Sequence, residues 1–251
     1  MSRPISDWAR WVGLRSQSEI LDLLEDSGDQ ELGLQQRLRK RFDADVVRTA
    51  FQLHDARSRA KSRFGQSGDL WFDRVGLEQA SSEVVARHKA SRFEGLTWDL
   101  CCGVGGDAMA LGRGGQVIAV DRDPARALCC RWNVEVTGVE DRVAVVAADI
   151  GRLGRLRGLV HIDPDQRPGG AKRSHRIEDS EPGREYLENL VSSSEGGAIK
   201  LSPAANFLGR LGVIDLLAKL RPVANATGEL ARELLHLAGH VPGDFVVVGT
   251  E

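Results

Sequence analysis

The chain has 251 residues, 28% of them charged, and a formal net charge of -2. This length supports one or two domains with an adequate core, and the charge balance excludes a uniformly basic nucleic-acid binder while leaving room for a local basic patch. Its apolar runs are too short to span a bilayer, no charged-then-apolar signal segment opens it, and so a cytoplasmic protein without a membrane partner is expected. The four cysteines form two adjacent pairs, Cys101-Cys102 and Cys129-Cys130. Neither pair has the C-x-x-C spacing of a metal site, so all four read as reduced core thiols, with no metal.

Residues 1–75 read as a helical N-terminal domain and 76–251 as a second domain. Ser16 to Glu19 offers helix-start chemistry before Ile20, Leu21, Leu23 and Leu24. Gly33 precedes a basic amphipathic segment carrying Leu34 and Leu38. Asp43 or Asp45 opens a longer helix through Phe64, with Val47, Phe51 and His54 on one face. The end of that helix is basic, with Arg57, Arg59, Lys61 and Arg63 in i, i+4 pairs that repel. A helix that accepts such repulsion suits a polyanion such as RNA, or is an ordinary solvated face. Arg57 and Lys61 are the candidate substrate contacts on it. Gly65, Gly68 and Gly76 break regular structure, and Trp71 and Phe72 anchor the link. Ser81 or Ser82 then caps a further helix.

Leu96 to Asp121 is the most informative stretch. It reads as a buried strand to Cys101, a glycine turn, a short helix that Asp107 can cap, and a strand ending in an acid. Gly103 and Gly105 let the backbone approach a ligand closely. Asp121 lies where an acid commonly takes the two hydroxyls of a ribose. Gly103 to Ala108 also fits the loose dinucleotide pattern, so NAD stays open on that string alone. Asp99 favours S-adenosylmethionine (SAM), because it sits inside the first strand where it can meet a methionyl ammonium that NAD lacks. Asp149 follows a third apolar strand and is placed for an adenine amine, with Ile150 beside it.

The remaining elements alternate strand and helix, which implies a doubly wound parallel sheet with a Rossmann-like α/β fold. Asp123-Pro124 starts a helix that Gly138 stops. Gly158 to Ile162 is a strand ending at Asp163-Pro164, with Asp163 the candidate to orient a nucleophile or take its proton. The polar loop 165–184 follows, and Arg167, Lys172 and Arg173 in it suit a phosphate. Arg184 to Ser192 reads as helix, and Ala198 to Leu201 as a short strand with Lys200 facing the pocket. Ile214 to Leu220 reads as a helix or buried segment, Glu229 to Leu237 as a strand or a helix, and Phe245 to Val248 as a strand.

The pattern D-x-x-x-G-x-G with an acid after each of the next two strands resembles the class I SAM-dependent methyltransferases. DLWFDRVGLEQASSEVVARHKASRF followed by DLCCGVGGDAMAL is similar to the bacterial relatives of trimethylguanosine synthase, the RNA cap guanine-N2 methyltransferases, often grouped with THUMP-like RNA methyltransferases. The resemblance covers roughly residues 57–202. It implies that Gln79, Ser81 and Ser82 approach SAM, alongside Asp99, Cys101, Gly103, Gly105, Asp107, Asp121, Arg122, Asp149 and Ile150. It also implies that Asp163 and Pro164 flank the transferred methyl. Amine methyltransferases hold a polar-Pro-Pro-aromatic motif there, and Asp165 and Gln166 stand in place of its last two members. The expected function is SAM-dependent methylation of RNA. A small-molecule or protein acceptor, and a non-catalytic SAM- or RNA-binding protein, are the alternatives.

Overall fold

The computed structural model describes residues 7–25, 31–164, 181–201, 220–223 and 245–249. Seven short strands form one sheet: β1 (Leu96–Leu100), β2 (Gln116–Asp121), β3 (Val143–Ala147), β4 (Leu159–Ile162), β5 (Gly197–Leu201), β6 (Leu220–Val223) and β7 (Phe245–Gly249). Their order is β3-β2-β1-β4-β5-β7-β6, and every pairing is parallel. The doubly wound α/β architecture expected from the alternation of elements is therefore present. The sequence order reverses between β1 and β4, which opens a crevice at the carboxyl ends of those strands. The strand beside β7 comes from 220–223, at the end of the segment read as helix or buried chain. Residues 229–237 lie outside the described residues.

Alternation along each strand sorts the core into two layers. In β2, Val117 and Ala119 face the layer of N-terminal helices, while Ile118 and Val120 face the opposite one. The first layer contains α1 (Asp7–Arg15), α2 (Glu19–Glu25), α3 (Glu31–Leu38), α4 (Ala44–Ala60), α5 (Arg74–Gln79), α6 (Glu83–Ala90), α7 (Gly106–Leu111) and α8 (Pro124–Val136). The opposite layer is closed by α9 (Arg184–Ser193), through Leu187, Leu190 and Val191. Asp43 caps α4 by accepting from Asp45 N, and Asp123 caps α8 by accepting from Ala125 N ahead of Pro124. Two boundaries differ from expectation. Gly33 lies inside α3 instead of before it, and α4 ends at Ala60, leaving Phe64 in the turn that follows. No helix among the described residues is long and apolar enough to cross a membrane.

Three tryptophans join the N-terminal helices to the sheet. Trp71 lies 6.4 Å from Trp11 of α1 and 4.8 Å from Trp132 of α8, both edge-on. The Arg15 guanidinium sits 4.6 Å over Trp132 and pairs with Glu135 at 2.9 Å. Arg57 is drawn into the same joint. Its Nε donates to Leu70 O at 2.9 Å, and its guanidinium lies 5.5 Å over the Trp71 ring. Burial lowers its pKa, with Asp69 and Glu25 opposing. This corrects Arg57 as a contact presented to a solvent-side substrate, because its planar head is spent on the link. Lys61 follows α4 and is exposed.

Asn133, fully buried on α8, fastens the same link. Its side chain accepts from Trp71 N at 2.6 Å and donates to Trp71 O and Val104 O, both at 2.8 Å. Replacing it with alanine orphans three buried backbone groups. Asn133→Ala is expected to cost about 2–3 kcal/mol in a urea melt.

Candidate active site

A cavity of about 640 Å³ opens at the carboxyl ends of β1, β2 and β4. Its wall includes Gln79, Ser81, Ser82, Asp99, Cys101, Gly103, Asp107, Asp121, Arg122, Asp149, Ile150, Asp163, Pro164 and Lys200. Of the expected cofactor residues only Gly105 is absent from the wall, and it serves the turn from behind. Gly105 has φ +89, and a Cβ there would come within 2.7 Å of Cys130 Sγ. Gly103 has φ +56, and a Cβ would meet nothing within 4 Å. Gly105→Ala is therefore expected to cost about 3 kcal/mol, from left-handed strain plus overpacking, and Gly103→Ala about 1 kcal/mol from strain alone. Thermal melts of the two variants separate these cases.

Cys101, between β1 and the turn, also takes a left-handed conformation, with φ 58. Burial pushes its thiol up, reinforced by Asp121, Asp163 and Asp99, so it stays protonated. All four cysteines are free, and Cys102, Cys129 and Cys130 are buried.

Asp121 ends β2 and is 6% exposed. Its Oδ2 accepts from Gly103 N at 2.8 Å and its Oδ1 from Asp123 N at 2.9 Å. Burial pushes this carboxyl up, and the two backbone donors pull it back. The acid thus shapes the glycine turn while keeping further lone pairs for the cavity. Asp149 is exposed and caps a short 3-10 helix (Ile150–Arg152) by accepting from Gly151 N at 2.9 Å. Tyr186 of α9 donates to Ile150 O at 3.3 Å and borders the same end. Arg122 is ion-paired to Glu181 at the rim.

Beneath the turn lies a buried polar network. Strand register sets Asp99 of β1 beside His161 of β4 on one face, and Lys89 of α6 descends onto them. The Lys89 ammonium lies 2.6 Å from Asp107 Oδ1, 3.0 Å from Ser81 Oγ and 3.3 Å from His161 Nε2. The contact with Asp107 is an ion pair: Asp107 Oδ1 is buried and accepts no hydrogen bond among the described residues. His161 Nδ1 in turn lies 2.7 Å from Asp99 Oδ1. Ser81 donates in turn to Asp107 Oδ2 at 2.8 Å. Burial would raise the Asp107 carboxyl, yet Lys89, His161 and Lys200 outweigh it and hold it well below the usual range. For Asp99 burial wins over His161, and its carboxyl is pushed up. Asp99 Oδ2 has no hydrogen-bond partner among the described residues, although it is buried at the cavity wall. An unmatched carboxylate oxygen there fits an incoming ammonium.

Two expectations change. Asp107 does not cap α7. Gly105 occupies that position, and the Asp107 carboxylate serves Lys89 and Ser81. Ser82 stands at the cap of α6 without a side-chain bond to it. Lys89 and His161 are members of the buried network that sequence reasoning missed. A lysine between the buried alanines Ala86 and Ala90, and a histidine between Val160 and Ile162, were the available signals.

At the far end of the cavity, Lys200 of β5 pairs with Asp163 Oδ2 and donates to Gln79 O at 3.3 Å. Burial would depress this ammonium, but Asp163 and Asp107 outweigh burial and raise its pKa. Arg63 shares this end. It donates to Leu77 O and Ala80 O, holding the turn that carries Ser81 and Ser82. Arg167, Lys172 and Arg173 lie outside the described residues.

Residues 95–178 match the RNA cap guanine-N2 methyltransferase family. The crystal structure of a Porphyromonas gingivalis W83 protein classed as a methyltransferase superposes with a TM-score of 0.55 at 21% identity, over 66% of this chain and 44% of that one. This is the class I methyltransferase fold. Two uncharacterized S-adenosylmethionine-dependent methyltransferases from Mycobacterium tuberculosis strains are each 32% identical to this chain over 147 residues. Those residues are 56% of this chain and 39% of each relative, so the chain spans about two fifths of the length of the curated relatives it matches.

Proposed function

We propose that this chain is a cytoplasmic SAM-dependent methyltransferase acting on RNA. The observation that carries the cofactor is the buried, partnerless Asp99 oxygen in one cavity wall with Asp121 and Asp149. Asp99 takes the methionyl ammonium, Asp121 the ribose hydroxyls, and Asp149 with Ile150 the adenine. Bound there, SAM supplies a methyl group on a sulfonium, and transfer demands mainly in-line positioning of the acceptor. The chain's own part is to hold that acceptor at Asp163-Pro164 and to receive its proton.

RNA is supported by the family that the central segment resembles and by Lys61, Arg167, Lys172 and Arg173. A small-molecule acceptor is the second reading, favoured by the engagement of Arg57 in the interdomain link, which interrupts the basic path. Calorimetric titration with SAM, S-adenosylhomocysteine and NAD tests the cofactor, and a radiolabelled-methyl screen on total RNA tests the acceptor. Micromolar binding of both adenosyl ligands with label entering RNA is the expected result. Binding of NAD in their place overturns the reading, and label in small molecules alone favours the second.

A further inference from the structure

We propose that the atom methylated here is a hydroxyl oxygen, the ribose 2′-hydroxyl of RNA, activated by Asp163 and Lys200. The proposal rests on the SAM and RNA reading above and names the acceptor within it. The site presents a carboxylate and an ammonium at one point, with Asp163 at the end of β4 and Lys200 at the end of β5, both in the cavity wall. The Lys200 side chain is 7% exposed and its ammonium is matched by Asp163 Oδ2 and Gln79 O, which account for two of its three donors. Arg63 lines the same end and adds a second positive charge.

This charge arrangement discriminates between acceptors. An amine nitrogen that attacks a methyl group gains positive charge, and a buried ammonium beside it opposes that gain. A hydroxyl oxygen must shed a proton, and there the same ammonium favours the developing oxyanion while the carboxylate takes the proton. In the step, an oxygen lone pair forms the O–CH3 bond. The S–CH3 bond breaks with its electron pair left on sulfur, which becomes a neutral thioether. The hydroxyl proton passes to Asp163 and from there to solvent.

The aromatic content of the wall agrees. Tyr186 is the one aromatic ring among the described lining residues, and it is bonded to Ile150 O on the adenine side. Residues 165–180, which follow Asp163-Pro164, contain no Phe, Tyr or Trp. Hydroxyls along an RNA strand belong to its riboses.

The test begins with labelled SAM, total RNA and the whole chain, followed by digestion to nucleosides. Label is expected in 2′-O-methylated nucleosides, surviving alkali as dinucleotides. Label on a base nitrogen, or none in RNA while S-adenosylhomocysteine binds, overturns the proposal. Failure of the adenosyl ligand to bind at all overturns the cofactor reading as well, so the two failures are distinct. Lys200→Met should lower transfer at least ~100-fold while S-adenosylhomocysteine affinity, read by calorimetry, stays within about threefold. Transfer unchanged or faster in that variant would be the result for an amine acceptor. Asp163→Asn, which keeps the side-chain volume, provides the second variant if Lys200→Met does not fold, and the same loss at retained affinity is expected.

Discussion

Asp121→Ala will weaken SAM binding by at least ~100-fold. On the proposed reading two charge-assisted hydrogen bonds to ribose hydroxyls are removed, each worth about 1.5–3 kcal/mol, and ~2.7 kcal/mol already corresponds to a hundredfold. The variant also strips the acceptors from Gly103 N and Asp123 N, so the glycine turn loses the group that shapes it. Asp149→Ala is the contrast. That acid is exposed, its carboxylate accepting from Gly151 N and lying 4.0 Å from Arg152 Nε, and about a tenfold loss is expected. Calorimetry with SAM on both variants measures the difference. A larger loss in Asp149→Ala than in Asp121→Ala would mean that the ribose and adenine ends are assigned the wrong way round.

Lys89→Met will lower unfolding stability by about 3–5 kcal/mol, because it leaves a buried carboxylate without its cation. Lys89 is 2% exposed, and Asp107 faces it at 2.6 Å. For a chain of this size that loss is worth about 10 °C in melting temperature. The double variant Lys89→Met/Asp107→Asn removes the stranded charge as well and is expected to recover more than half of the loss. The pH dependence gives a second check. The Asp107 carboxyl is held low in the fold, so its contribution is complete above the unfolded value near ~4 and drains as pH falls below it. In Lys89→Met burial acts unopposed by that cation and raises the same carboxyl, whose protonation then favours the fold. The gap between variant and parent therefore narrows as pH approaches ~4. A gap that stays constant would mean that Asp107 is not the group left stranded.

Much of the candidate cofactor wall, as a set of residues lining one cavity, was legible because its signals are local. A strand, a glycine turn, a short helix and a terminal acid occupy one continuous stretch, and both Asp121 and Asp149 stand where strand periodicity ends. The buried network was less legible because it depends on register. Asp99 and His161 are 62 residues apart, and only the pairing of β1 with β4 brings them to one face. Lys89 reads locally as a solvated cation on a short basic helix. It is buried because α6 packs on α7, from which Asp107 faces it. Arg57 shows the converse error: a basic cluster in sequence suggested a polyanion surface, yet its geometry turns Arg57 inward onto Trp71 and Arg63 onto Leu77 O and Ala80 O. Asp107 follows the same logic, since a carboxylate near a helix start resembles a cap until a lysine from elsewhere claims it.

The tryptophan joint has a consequence for synthesis. Trp11 and Trp132 both pack edge-on against Trp71 and are separated by roughly 120 residues of chain. At about 5–20 residues per second, a nascent chain carries α1 for roughly 6–24 s before α8 exists to cover it. Throughout that interval the apolar side of α1 has only its helical neighbours to lean on. A helix made well before α8 is thus finished only after it, and in the growing polypeptide its indole surface is a natural landing place for a chaperone.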